Sequence, residues 1–414
     1  MNLERSIALT PAATVVSAVK PETLTRADDD VSVGYLRAAI TVMVVAHHAV
    51  LAYHPFVPAP AASLTAGPPW WQAFPVVDSQ RWGAFALFTG FNDIFFMALM
   101  FFLSGLFVWN SLQRKGSGTF LKDRALRLGL PFVVGAALLA PLAYYPAYLQ
   151  TGGKGLAGYW TQWRSLENWP AGPAWFLWVL LAFGAVAAGL TRLMPRWGDG
   201  LGRLAARVGS RPAAFFGLLA AASAVAYIPM ALAFTPIAWT TFGPFAFQTS
   251  RPLFYAVYFL AGIAVGAGGL RQGLLAPDGR LARRWLLWLL GALVAFGVAV
   301  VLGILIMTSH IGSKPWETAG GFAFVVSSAA SSLAFLALFA RFAGRRVRAL
   351  DSLRDNAYGI YLVHYAFVSW LQLSLLGAPL GAPAKGAVVI LGALALSWVA
   401  THALRRLPGV ARVI

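Results

Sequence analysis

Residues 33–53 read VGYLRAAITVMVVAHHAVLAY. The stretch has the length and apolarity of a membrane-spanning helix, which needs about 20 residues to cross hydrocarbon. Yet it carries Arg37, His47 and His48. An Arg at the centre of such a helix costs roughly 2.5–3.5 kcal/mol on insertion scales, so groups of this kind face a bundle interior or a wet cavity. Arg37 and His48 are eleven positions apart. At about 100° per residue they share one helix face, about 16 Å apart along the axis. Thr41 lies near the same stripe, and His47 points away from it.

The rest of the chain agrees with a membrane setting. Of 414 residues 59% are apolar and 11% charged, whereas a soluble domain carries about 25% charge. The formal charge of +18 belongs to loops that set orientation, with acidic headgroups as its partners rather than nucleic acid. With no cysteine, thiolate catalysis, disulfides and thiolate-bound metal drop out. No phosphate-binding glycine loop, nucleophile elbow or zinc-protease motif appears, and no metal site is expected.

The fold class read from this pattern is all-α: a polytopic bundle of about ten transmembrane helices. The spans fall near 33–53, 85–110, 125–148, 173–193, 213–233, 251–269, 285–307, 320–341, 355–376 and 385–404. With the N-terminus inside, 26 of the 32 Lys and Arg residues fall on the cytosolic side, as the positive-inside rule requires. Only Arg81, Lys154, Arg164, Arg251, Lys314 and Lys385 fall outside. Both termini are therefore expected in the cytosol. Residues 1–31 read as a flexible cytosolic tail, 32–405 as one transmembrane domain and 406–414 as a short cytosolic tail. The loop 111–127 is expected on the cytosolic side. The outer loops 54–84 and 149–172 are rich in Trp, Tyr, Pro and Gly; they read as an interfacial belt or as a platform for sugar rings. Gly262-x-x-x-Gly266 suits close helix approach.

Four features carry chemistry. They are Arg37 with His48; FNDIFFMALMFFLSGLFVWNSL (91–112), with Asp93 in an aromatic helix; KDRALRLGLP (122–131), with Arg124 and Arg127; and NAYGIYLVHYAFV (356–368), with His364 in mid-span. Each has a plainer reading. Arg37 snorkels, Arg124 and Arg127 mark topology, and His364 bonds a neighbouring helix. Asp93 wants a partner, either an imidazole such as His48 or a cation, Arg251 or Arg81. His402 reads as interfacial, His54 and His310 as solvated residues at the outer edges, and Glu317 as a solvated outer-loop residue. A ten-span carrier or flippase for a polar or anionic solute accounts for many of the same features. However, no internal repeat of the kind common in carriers is evident.

The order of these phrases resembles the membrane acyltransferase-3 family. Arg-x10-His in the first span, FFMALMFFLSGLFVW (95–109), the basic Arg124-x-x-Arg127, PAWFLWVLL (173–181) and YGIYLVHYAFV (358–368) are similar to successive blocks of that family. The wording leans toward its branch of glucan succinyltransferases. The resemblance covers about 33 to 404. It implies an integral O-acyltransferase of the cell membrane, bacterial inner membrane by type. Such an enzyme moves an acyl group, acetyl or succinyl, from acyl-CoA to a hydroxyl of a surface glycan or related acceptor. It implies His48 as catalytic histidine paired with Arg37, with His47 the neighbour in the doublet. His364 and Asp93 are further catalytic candidates, and Arg124 and Arg127 are expected to receive the anionic CoA. Acyl-CoA is then a substrate, no cofactor is tightly bound, and self-association stays open.

Overall fold

In the computed structural model, residues 31–270, 273–308 and 313–414 are described. The expected tail at 1–31 and His310 lie essentially outside them. Among these residues, twelve helices of ten or more residues organise the fold: α1 (Val31–Val50), α2 (Ala84–Gly105), α3 (Val108–Gln150), α4 (Gly155–Arg164), α5 (Trp175–Leu193), α6 (Trp197–Gly209), α7 (Pro212–Phe234), α8 (Pro252–Gly268), α9 (Trp285–Thr308), α10 (Lys314–Phe342), α11 (Arg348–Ser374) and α12 (Ala382–Leu404). Among the described residues, eight segments are long and apolar enough to cross a membrane: α1 through Tyr53, α2, α3, α5 with its preceding turn, α7, α9, α10 and α12. The remaining two expected spans are α8, apolar but 17 residues long, and α11, whose first two turns carry Arg348, Asp351, Arg354 and Asp355. The ten expected spans thus match ten helices one for one.

Contacts among loops and helix ends sort the bundle into two faces. At one end, Tyr35 donates to Asp351 (3.0 Å), Trp109 to Asp199 (3.1 Å), Asn110 to the Gly266 carbonyl (3.3 Å) and Arg405 to the Asp355 carbonyl. At the other, Lys385 meets Asp78, Gln150 holds both backbone groups of Val77, Gln162 takes the Leu64 N–H, and Arg81 reaches the His54 carbonyl. The first end collects the segments expected inside, and the second those expected outside.

Two expectations need correction. The loop expected at 111–127 is helical. It belongs to α3, which bends at Gly116 (φ 74°), where a glycine tolerates the left-handed backbone. Farther on, α3 contains two π-turns, Ala125–Gly129 and Gly135–Leu139. Pro131 and Pro141 follow shortly after them, and wider turns accommodate backbone that proline leaves without a donor. The connection before α8 is a two-stranded antiparallel hairpin, β1 (Trp239–Phe242) with β2 (Phe245–Gln248), pairing Trp239 with Gln248 and Phe242 with Phe245. Glu317 stands in the first turn of α10 rather than in a loop, where a carboxylate complements the helix dipole.

The tightest crossing joins α2 and α8. A Cβ at Gly262 would sit 2.0 Å from the Phe102 carbonyl oxygen, and one at Gly266 1.9 Å from that of Leu106. Only hydrogens fit there, as in other glycine-lined membrane contacts. In α9, by contrast, Ala292 is buried and most large side chains are exposed, as for a helix facing lipid.

Candidate active site

α1 and α11 pack side by side and meet at two imidazoles. His48 Nδ1 lies 3.1 Å from His364 Nε2 and 2.9 Å from the Val44 carbonyl oxygen. His364 Nδ1 lies 2.7 Å from the Tyr361 carbonyl oxygen. A carbonyl only accepts, so in neutral rings both Nδ1 atoms carry the proton. His364 Nε2 is then a free acceptor, and the His48 Nδ1–H is shared between it and Val44. This leaves the lone pair on His48 Nε2. That atom has no hydrogen-bond partner among the described residues, and the side chain is partly exposed. His364 is fully buried. Tyr365 presents its ring edge to His48 at 5.1 Å.

The backbone behind His48 is fixed as well. α1 ends two residues later, leaving carbonyls without intrahelical partners. Gln372, 2% exposed, donates from Nε2 to the carbonyls of His48 and Ala49, both at 3.0 Å. His364 and Gln372 stand about two turns apart on α11, so one helix sets both ring and backbone of His48.

The other candidates separate into three places. Arg37 donates to the Leu103 carbonyl at 3.0 Å and lies over the Phe107 ring at 4.6 Å, against the inner end of α2. Between Arg37 and His48 the shared stripe is packed, with Thr41 and Val44 each 4% exposed. Asp93 makes no hydrogen bond to His48; the ring that orients His48 is His364. The Asp93 carboxylate instead grips Arg251 with both oxygens, at 3.0 and 2.6 Å, in the planar two-bond geometry arginine favours. Of the two cations considered for it, Arg251 is the partner, and Arg81 bonds the His54 carbonyl instead. Asp93 also lies in electrostatic range of His47, which packs on Phe96. Half of the Asp93 side chain is exposed while Arg251 is buried.

Arg124 and Arg127 stand one turn apart on α3, in electrostatic range of each other. The Arg124 guanidinium lies over Phe120 at 5.1 Å, and Tyr358 donates to the Arg127 carbonyl. From there a file of tyrosines on α11 leads toward the imidazoles. Tyr361 donates to the Pro173 carbonyl, and Tyr365 touches His48. A narrow cleft lined by Gly135, Leu139, Pro173, Tyr361, Tyr365 and Ala366 runs along this seam. One of the two π-turns of α3 forms its wall.

A family model described as an acyltransferase domain matches residues 30–402. The chain belongs to the membrane acyltransferase-3 family. No curated protein and no solved structure matches it. A multi-pass membrane acyltransferase thus places two facing histidines, one with an open ring nitrogen, at the crossing of its first helix with α11.

Several residues of this acyltransferase's centre carry little signal in the sequence. Gln372 and Tyr365 are ordinary residues of an amphipathic stretch until α11 is docked on α1. Asp78 and Lys385 form an ion pair that joins positions 307 apart in sequence. The one available hint was Lys385, a charge at the edge of an expected span.

Proposed function

We propose that this protein is an integral membrane O-acyltransferase that moves an acyl group, acetyl or succinyl, from cytosolic acyl-CoA to a hydroxyl of an extracytoplasmic glycan or related acceptor. The observation that carries the reading is the open Nε2 of His48, left unprotonated by the paired Nδ1 contacts of His48 and His364. His48 Nε2 takes the proton of the acceptor hydroxyl as that oxygen attacks the thioester carbonyl, and the proton then passes to the leaving CoA thiolate. As His48 becomes cationic, its Nδ1–H bond to His364 Nε2 strengthens. His364 thus holds the ring as the third member of a triad does, though without a carboxylate's charge.

The donor side of the reading rests on arginine. CoA is polyanionic, and guanidinium forks suit phosphate. Arg124 and Arg127 stand at the expected cytosolic end of the α3–α11 seam, with the tyrosine-lined cleft between them and His48. On this reading the pantetheine arm enters along this seam, whose cleft of about 20 Å³ widens to admit it, and bypasses the packed stripe above Arg37. Arg37, held by the Leu103 carbonyl and the Phe107 ring, then adds positive charge at the donor end of the bundle.

The test uses purified protein in lipid nanodiscs with radiolabelled acetyl-CoA or succinyl-CoA. His48-dependent release of CoA, absent in His48→Ala of unchanged thermal stability, is the expected result. Full turnover by His48→Ala overturns the assignment. Solute uptake into vesicles without CoA chemistry supports a carrier instead.

A further inference from the structure

We propose that the outer loop between α1 and α2 forms the acceptor's docking subsite, and that it takes an uncharged sugar ring stacked on Trp70. The inference rests on the acyltransferase reading above and adds where the acceptor binds and of what class it is.

The loop encloses a cavity of about 310 Å³ lined by, among others, Pro58, Pro68, Trp70, Phe74, Val77 and Gln150. That lies at the lower edge of the range of small-molecule sites, about 300–1,000 Å³. Trp70 is 55% exposed, although it stands in a turn whose other side is tightly held. Trp71, next in the chain, is buried; it donates to the Leu64 carbonyl at 3.2 Å and packs edge-on against Tyr144. The walls are fixed before any ligand arrives. Gln162 accepts from the Leu64 N–H at 3.1 Å, and Gln150 bonds both backbone groups of Val77 at 2.8 and 2.6 Å.

The chemistry of the lining selects the ligand. None of the lining residues is charged, so an anionic sugar would lose water without gaining a counter-ion. The Gln150 amide is committed to Val77. What remains is aromatic and prolyl surface, which suits the C–H face of a pyranose whose hydroxyls stay wet. The position suits an acceptor too. The carbonyl of Gln72, two residues after Trp70, accepts from Tyr144 at 2.8 Å and from Tyr365 at 3.4 Å. Tyr365 in turn touches His48. A ring held on Trp70 therefore sits on the same short turn that is tied to the catalytic histidine's neighbour.

The experiment compares wild type, Trp70→Ala and Trp160→Ala as full-length proteins in nanodiscs. Trp160 is also an exposed outer tryptophan but does not line the cavity. Saturation-transfer NMR reads binding of a neutral glucose oligosaccharide and of an oligogalacturonate, with no donor present. The expected result is binding of the neutral sugar only, weakened about tenfold in Trp70→Ala and unaltered in Trp160→Ala. With donor present, the acceptor KM rises in Trp70→Ala more than kcat falls. Equal binding by Trp70→Ala and wild type, an equal loss in Trp160→Ala, or preference for the anionic sugar overturns the proposal. Trp70-dependent binding without any CoA turnover upholds the subsite and removes the acyl-CoA-dependent reading; CoA turnover without Trp70-dependent binding does the reverse.

Discussion

The Lys385–Asp78 ion pair offers the sharpest test of how the outer half is held together. Both side chains are 1% exposed, with Nζ 2.7 Å from Oδ2. Lys385 also donates to the Leu376 carbonyl at 3.3 Å, and Asp78 Oδ1 accepts from the Gln80 N–H at 2.8 Å. The Asp78 N–H donates to the Ala52 carbonyl at 3.1 Å, in the turn that follows α1. The pair thus ties α12, the outer loop and the end of the His48 helix into one knot. Replacing Lys385 with Met leaves a carboxylate in the interior without its cation. Breaking a buried pair from one side costs about 3–5 kcal/mol, or two to three and a half powers of ten in the folding equilibrium at about 1.4 kcal/mol each. Removing both charges, as Asp78→Leu with Lys385→Met, recovers most of that loss, because the desolvation of both ions is also removed. Unfolding in mixed detergent micelles measures the stability, and limited proteolysis within 54–84 measures release of the loop. A Lys385→Met protein within about 1 kcal/mol of wild type, or a double variant no more stable than the single, would refute the reasoning.

Other outcomes follow from the same geometry. His364→Ala is expected to lower kcat by about 10² with little change in KM for acyl-CoA, read by CoA release; a change confined to KM argues against the dyad. Gln372→Leu removes two bonds to α1 carbonyls and leaves both buried, a loss of about 1–3 kcal/mol, seen in thermal stability and in a lowered kcat. Asp93→Asn leaves Arg251 with a neutral partner, and its instability should be relieved by Arg251→Met in the same chain, a double-mutant cycle in which additivity of the two changes counts against the pair. Gly266→Leu drives a side chain into the Leu106 carbonyl and is expected to abolish folded protein on size-exclusion chromatography, whereas Gly217→Leu, with open space at its Cβ, is tolerated.

Much of the architecture was legible before any coordinates. Ten apolar stretches, sorted by the side on which arginine falls, match ten helices, and Gly262 and Gly266 lie where α8 meets α2. Periodicity alone set Arg37 and His48 on one stripe of α1. The loop at 111–127 was misread because its polar residues look like a linker, while in space they continue α3 past the bend at Gly116. The site was legible only in pieces. His364 was a candidate, but its partnership with His48 depends on the docking of α11 against α1, 316 positions away in sequence. Asp93 wanted a partner on grounds of charge; that the partner is Arg251 follows from the docking of α8 on α2, and the Gly262-x-x-x-Gly266 pattern does not say which helix it meets. Gln372 was invisible, since its work is to bond carbonyls that only the end of α1 leaves open.

The packed stripe between Arg37 and His48 bears on bioenergetics. An enzyme that hands an acyl group from one side of a membrane to the other, as proposed above, must not short-circuit an ion gradient held across it. Thr41 and Val44 are buried along that stripe of the first helix, so packed side chains fill the face between the two residues. Packing of that kind opposes proton leak along the face, whereas the proposed thioester arm needs only a seam between helices to part. On the proposed reading the protein is a letterbox rather than a pore, and the cost of each transfer stays confined to the thioester consumed.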